Sequence, residues 1–175
     1  MGETIGLAAL IIFPLCMVFA TFYDVFTMTI PNRITLALVV TYAVLAPFSG
    51  LAFATIAWSI GIAFIVLVMG FALFSAGVMG GGDAKLLSAS ALWFGSAFTL
   101  EYIVIASVLG GLLTLFIIVA RSMPVPPRLM TVEWITRLHD KKQGVPYGAA
   151  LGPAALIVFV DTPWMSLAAT GTMLG

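Results

Sequence analysis

ITLALVVTYAVLAPFSGLAFATIAWSIGIAFIVLVMGFALFSAGVMGGG, residues 34–82, is a run of 49 residues with no formal charge, bounded by Arg33 and Asp83. A helix needs about 20 mostly apolar residues to cross the hydrocarbon core of a bilayer. The run is too long for one crossing and suits two, near residues 34–45 and 52–74, with a break at Pro47-Phe48-Ser49-Gly50. Upstream, residues 5–23 form an uncharged run that stops at Asp24. Downstream, residues 83–98, 102–120 and 147–160 are further apolar segments, with a polar stretch at 121–143. Residues 163–175 are apolar but short for a seventh span. The expected fold is all-α: a polytopic integral membrane helical bundle of about six transmembrane helices, with residues 1–175 as one membrane-embedded domain.

Composition points the same way. The chain is 62% apolar and 8% charged, against about 25% charged residues in soluble domains. Seven basic and seven acidic residues give zero net charge, so no polyanionic partner is implied and no nucleic acid is expected. The single cysteine, Cys16, sits in an apolar run and reads as a small apolar filler; it excludes an intrachain disulfide and a CxxC metal pair. Met1–Thr4 carries Glu3 and neither Lys nor Arg, and no small-x-small cleavage site follows, so residues 5–23 read as a retained span. The one histidine, His139, falls in the charged stretch and reads as solvated. A zinc site needs more ligands than one His and scattered acids, so neither metal nor cofactor is expected.

Orientation follows from the basic residues. Arg33 follows the first span, Lys85 the third, and Arg121, Arg128, Arg137, Lys141 and Lys142 the fifth. All seven lie at odd-numbered connections, which share one side, whereas Glu3, Glu101 and Asp161 mark the other. Lys and Arg collect in cytoplasmic loops. The expectation is a plasma (inner) membrane protein with its basic loops in the cytoplasm and both termini outside it. Within the polar stretch, Leu129, Val132, Ile135 and Leu138 recur every third residue around Trp134. That pattern fits a short interfacial helix and equally a solvated loop with apolar anchors.

By this count Asp24 and Asp83 share the cytoplasmic face. A carboxylate in a membrane segment is by default a functional hypothesis, although either one alone is also an ordinary interfacial residue. Asp83 follows Gly77-Val78-Met79-Gly80-Gly81-Gly82 and precedes Ala84-Lys85. Irregular glycine backbone at membrane depth is tolerated where it is buried in protein or lines a wet cavity. The loop therefore suits close approach of a peptide, or else is a turn with Asp83 as helix cap. Asp24 precedes Ile30-Pro31-Asn32-Arg33, which by itself reads as a helix connection. Two acids on one face suit an aspartic dyad, in which close carboxyls share one proton. A small proton-coupled transporter using both acids as a relay is the alternative, and a transporter is expected to show paired repeats or mid-membrane sites. Gly148 and Gly152 lie four residues apart on one face of the sixth span; the spacing fits generic close packing or a face seating that helix beside the dyad.

Gly80-Gly81-Gly82-Asp83 matches the GxGD signature of membrane aspartic proteases. Together with Asp24, Ile30-Pro31-Asn32, Ala84-Lys85 and Val145-Pro146-Tyr147-Gly148-Ala149-Ala150, it makes the chain resemble the type IV prepilin peptidases over nearly all its length. The resemblance implies a cytoplasm-facing endopeptidase that removes short basic leaders from prepilins or pilin-like precursors. It carries Asp24 and Asp83 over as the catalytic pair, Gly80, Gly82 and Lys85 as loop-supporting positions, and Pro31 and Asn32 as motif residues without an assigned role. Larger bacterial members carry a cytoplasmic portion with cysteine pairs linked to N-methylation. Here Tyr23-Asp24 leads directly to Asn32 with no cysteine pair, so methyltransferase activity is expected to be absent. The compact form resembles peptidases of Flp (tight-adherence) pili or archaeal preflagellin peptidases.

Overall fold

The computed structural model describes residues 2–124, 126, 131–141 and 143–172. Pro127, Arg128, Leu129, Lys142 and residues 173–175, which entered the reading of the polar stretch and the tail, lie outside the described residues. The described residues are helical and contain no strand: α1 (Gly2–Thr27), α2 (Asn32–Leu45), α3 (Phe53–Ser75), α4 (Gly81–Ser122), α5 (Glu133–His139), α6 (Gly148–Phe159) and α7 (Pro163–Thr172). A short 3-10 turn, Ala46–Phe48, extends α2 at the break expected around Pro47. Three helices, α1, α3 and α4, are long and apolar enough to cross a membrane. Helices suit this environment because every backbone group is satisfied within the segment. Phe53, Trp58, Leu100 and Phe116 point outward from the bundle. In water such a surface is an aggregation liability; against lipid tails it is the natural exterior. The chain is a helical membrane bundle.

The fourth and fifth expected spans run together as one helical stretch, α4. A straight helix of 42 residues extends about 63 Å, twice the hydrocarbon thickness. It does not stay straight. At Gly95 the backbone takes φ 58 and ψ −158, and the helix folds back on itself. The rings of Phe94 and Tyr102 are 4.8 Å apart. Leu87 and Ile103, which a straight helix separates by about 24 Å, pack into one cluster with Ala63, Val66 and Ala91. The two arms are thus the two expected spans, joined without a loop. Gly95 is required twice over. Its conformation belongs to a region open essentially to glycine, and a Cβ there lies 2.9 Å from the Ser59 hydroxyl. Gly95→Ala is expected to destabilise the bundle by about 1–3 kcal/mol, read as a lowered unfolding midpoint in micelles; an unchanged midpoint contradicts the turn-back.

The chain runs up and down between two ends. At one end the Gly95 turn gathers with Leu51, Thr55, Pro163 and Trp164. At the other end Lys85 bonds Asn32, Gly148 bonds Asp24, and Arg137 donates to the Phe26 carbonyl. The Arg121 guanidinium donates to the carbonyls of Leu138, Gln143 and Gly144. Arg33, Lys85, Arg121 and Arg137 therefore share the end that holds Asp24 and Asp83. Between the ends lies an aromatic core: Trp93 packs on Phe13, Tyr42, Phe159 and Trp164.

Two local expectations resolve. In the polar stretch, residues 133–139 form the short helix α5, tied by a Glu133–Arg137 ion pair and by Trp134 set edge-on to Phe26 at 5.6 Å. His139 is not solvated: it is half-buried, with Nε2 3.0 Å from the Ala120 carbonyl. Its neighbour Arg121 ties down the same turn, which explains why a polar side chain tucks inward there.

Candidate active site

Asp24 lies in the last turn of α1 and is 4% exposed; Asp83 lies in the first turn of α4 and is 8% exposed. The sequence expectation set Asp24 at the end of its helix, and α1 runs three residues further, to Thr27. Met28, at φ 56, ends the helix in the left-handed conformation common at helix C-termini. Both carboxyls are buried at the same end of the bundle. Burial of a carboxylate demands hydrogen-bond partners, and each has one from the backbone. The Gly148 N–H donates to Asp24 Oδ2 at 2.7 Å. Asp83 bonds back to the Gly80 backbone, the reach of a third helical residue to its cap that forms half of a capping box.

The glycine loop is built by helix ends. Gly77, at φ 72, terminates α3 with Val78 N–H bonded to the Leu73 carbonyl and Gly77 N–H to that of Phe74, both at 2.9 Å. This is a Schellman motif, and it turns the chain straight into α4. Gly80 is the cap residue of α4, so Asp83 is its third helical residue and not the cap. The missing side chains make room for the chain itself. A Cβ on Gly80 lies 2.6 Å from Asp83 Oδ2, one on Gly81 3.3 Å from the Phe74 ring, and one on Gly82 3.1 Å from Ile30 Cβ. The glycines thus admit Ile30 and Phe74 of this chain and leave space for the Asp83 carboxyl.

The remaining motif residues converge on the same place. Pro31 caps α2 in an extended conformation (φ −63, ψ 134). Asn32 follows as the first residue of α2, and its side-chain oxygen accepts a hydrogen bond from Lys85 Nζ at 3.0 Å. This bond joins the connection after Asp24 to the helix that carries Asp83, a pairing the sequence motifs gave no means to assign. Charged hydrogen bonds exposed to solvent contribute little individually. A double-mutant cycle on Lys85→Met and Asn32→Leu is expected to give a coupling of roughly 0.5–1.5 kcal/mol in unfolding free energy; strictly additive effects contradict the clamp.

The contact of the Gly148 amide with Asp24 is one that sequence reading did not assign. Its signals were the Gly148–Gly152 spacing and the Val145–Ala150 segment. That face seats α6 on α1: a Cβ on Gly152 collides with Thr21 Oγ1 and comes within 2.9 Å of the Met17 carbonyl, and the Thr21 hydroxyl donates to the Gly148 carbonyl at 3.3 Å. Behind the dyad, Tyr102 is fully buried. Ser90 lies beside it and donates its hydroxyl to the Leu86 carbonyl at 2.8 Å.

Comparison with curated proteins gives no match, and neither does comparison with solved structures. The sequence pattern of the type IV leader peptidase family matches residues 11–115. That is more than half of the chain, and it includes Asp24, Pro31, Asn32, the glycine loop, Asp83 and Lys85. Two buried acids at one end of an apolar bundle, within segments that match this family, leave one assignment: the chain belongs to the type IV leader peptidase family.

Proposed function

We propose that this protein is a membrane aspartic endopeptidase that cleaves the short leader of type IV, Flp-like prepilins at the cytoplasmic membrane face. Asp24 and Asp83 are its catalytic pair, and residues 1–175 act as one peptidase domain. The observation that carries the reading is the placement of two buried carboxyls, 59 positions apart in sequence, at one end of the bundle, inside a chain of the leader peptidase family. As a dyad, the two carboxyls work with one proton between them. The ionised member takes a proton from water as the water attacks the scissile carbonyl. The protonated member donates to the carbonyl oxygen. The proton then passes to the leaving amine, which becomes the N-terminus of the mature pilin.

Gly80 and Gly82 support this chemistry by letting α4 start close against Ile30 with the Asp83 carboxyl turned inward. Lys85 and Asn32 tie α4 to α2, and Pro31 sets the angle at which α2 begins. The basic residues at the dyad end favour a cytoplasmic location for it, with both termini on the other side of the plasma membrane. The dyad joins its helices without an intervening cysteine-bearing segment, which favours a compact peptidase without methyltransferase activity. A proton-coupled transporter has less support, because both acids sit at one end of the bundle and not at mid-membrane.

The test uses the purified protein in micelles with a synthetic prepilin segment, a basic leader followed by an apolar helix. The expected result is a single cut at the junction of leader and helix with no nucleotide or metal added. Substrate still intact after prolonged incubation overturns the reading.

A further inference from the structure

We propose that the backbone amide of Gly148 is a positioning group for Asp24, so that the start of α6 is a third component of the catalytic site. The inference rests on the peptidase reading and adds to it a segment, Val145–Ala150, beyond the residues matched to the family.

The case begins with the end of α1. Asp24 occupies a helix C-terminus, where the helix dipole disfavours negative charge. A carboxylate there needs a donor from another element. α6 supplies it from a helix N-terminus, where backbone N–H groups lack intrahelical acceptors and the dipole favours an anion. Gly148 is the first residue of α6. The next three amides are spoken for: Ala149 N–H bonds the Pro146 carbonyl, and those of Ala150 and Leu151 bond the Tyr147 carbonyl. The free one, on Gly148, goes to Asp24 Oδ2 at 2.7 Å.

The position also requires glycine for reasons of space. A Cβ on Gly148 lies 2.8 Å from Asp24 Cβ, 2.9 Å from Oδ2 and 3.1 Å from Cγ. The segment is pinned from its other side as well. The Tyr147 ring lies 3.0 Å from where a Cβ on Gly110 would be, against the second arm of α4, and its hydroxyl is 3.5 Å from that of Thr114. Tyr147 and Gly148 thus hold the start of α6 between α4 and α1. With Oδ2 engaged by the amide, Oδ1 is the oxygen left for the attacking water and for Asp83. The amide fixes which oxygen that is and where it points.

The discriminating experiment replaces the Tyr147–Gly148 amide by an ester in the full-length protein, by putting glycolic acid at residue 148. The change deletes the donor and adds no atoms, and it only weakens the Tyr147 carbonyl as acceptor of the Ala150 and Leu151 N–H groups. A misplaced catalytic group costs on the order of 10²-fold in rate, so kcat on the prepilin segment is expected to fall roughly 10- to 100-fold, with KM within about twofold. Thr21→Val, which removes the bond to the Gly148 carbonyl across the same interface, is expected to lose much less. An ester protein with native kcat, an effect confined to KM, or an equal loss in Thr21→Val overturns the proposal.

An infrared carboxyl band identified by its loss in Asp24→Asn gives a readout independent of turnover. It is expected to shift in the ester protein, and an unshifted band also overturns the proposal. If the unmodified protein cleaves nothing while the band still shifts, the peptidase reading fails and the Asp24–Gly148 contact stands; if cleavage is normal and the band is unmoved, the reverse holds.

Discussion

Asp24→Asn and Asp83→Asn are each expected to reduce leader cleavage by at least about 10³-fold while leaving the protein inserted and folded. The size follows from the chemistry. One positioned acid or base contributes about 10²–10⁴-fold, and in a dyad each carboxyl serves in both the attack and the departure of the amine. Asparagine keeps the shape of aspartate and can still meet the Gly148 amide through its oxygen, but it cannot accept the proton of the attacking water. Groups acting as one unit are strongly non-additive, so the double variant should be no worse than either single one. The measurement is the rate of leader release by purified variants of matched helicity. Either variant retaining a tenth of native activity removes that residue from the chemistry. Because both side chains are buried and polar replacements remain hydrogen-bonded, the loss should come without a comparable loss of stability.

Trp93→Ala is expected to give the largest loss of stability of any single truncation in the bundle, about 3–5 kcal/mol. Lipid provides no hydrophobic drive for helices to associate, so packing and interhelical hydrogen bonds hold them. Trp93 supplies both. Its ring contacts Phe13, Tyr42, Phe159 and Trp164 at centroid distances of 5.2, 5.7, 6.4 and 5.0 Å. Its Nε1 donates to the Leu38 carbonyl at 3.2 Å, and its own carbonyl accepts from Trp164 Nε1 at 3.1 Å. The ring therefore joins α1, α2, α6 and α7 to the first arm of α4. Unfolding in mixed micelles should register the loss; a change under about 1 kcal/mol would show that the aromatic core is not what holds the helices.

Much of this architecture was legible because lipid imposes a simple grammar. Stretches without charge must be helices, and the basic residues must gather at one end; Arg33, Lys85, Arg121 and Arg137 do. The acids were legible for the same reason, since buried carboxylates in a membrane protein are costly and stand out. Three things were not legible. The turn at Gly95 has no proline, and the sequence set the break between the two spans at residues 99–101, a few positions beyond where the backbone reverses. The role of Asn32 depends on Lys85, 53 positions away, and a motif gives residue types without partners. The hold on Asp24 comes from a backbone amide, which every residue but proline possesses; only the absence of a Cβ at Gly148 hints at it. His139 misled because its class is usually solvated, whereas here the Ala120 carbonyl draws it in.

The central question is whether Asp24 and Asp83 form a hydrolytic site. Co-expression with a Flp-like prepilin, followed by sequencing the N-terminus of the pilin in the membrane fraction, asks this in one step. A mature N-terminus at the start of the apolar helix, without N-methylation, is expected when the native protein is present, and an uncut leader when Asp24→Asn or Asp83→Asn replaces it. A leader removed equally by native and substituted proteins, or retained with all of them, would contradict that expectation.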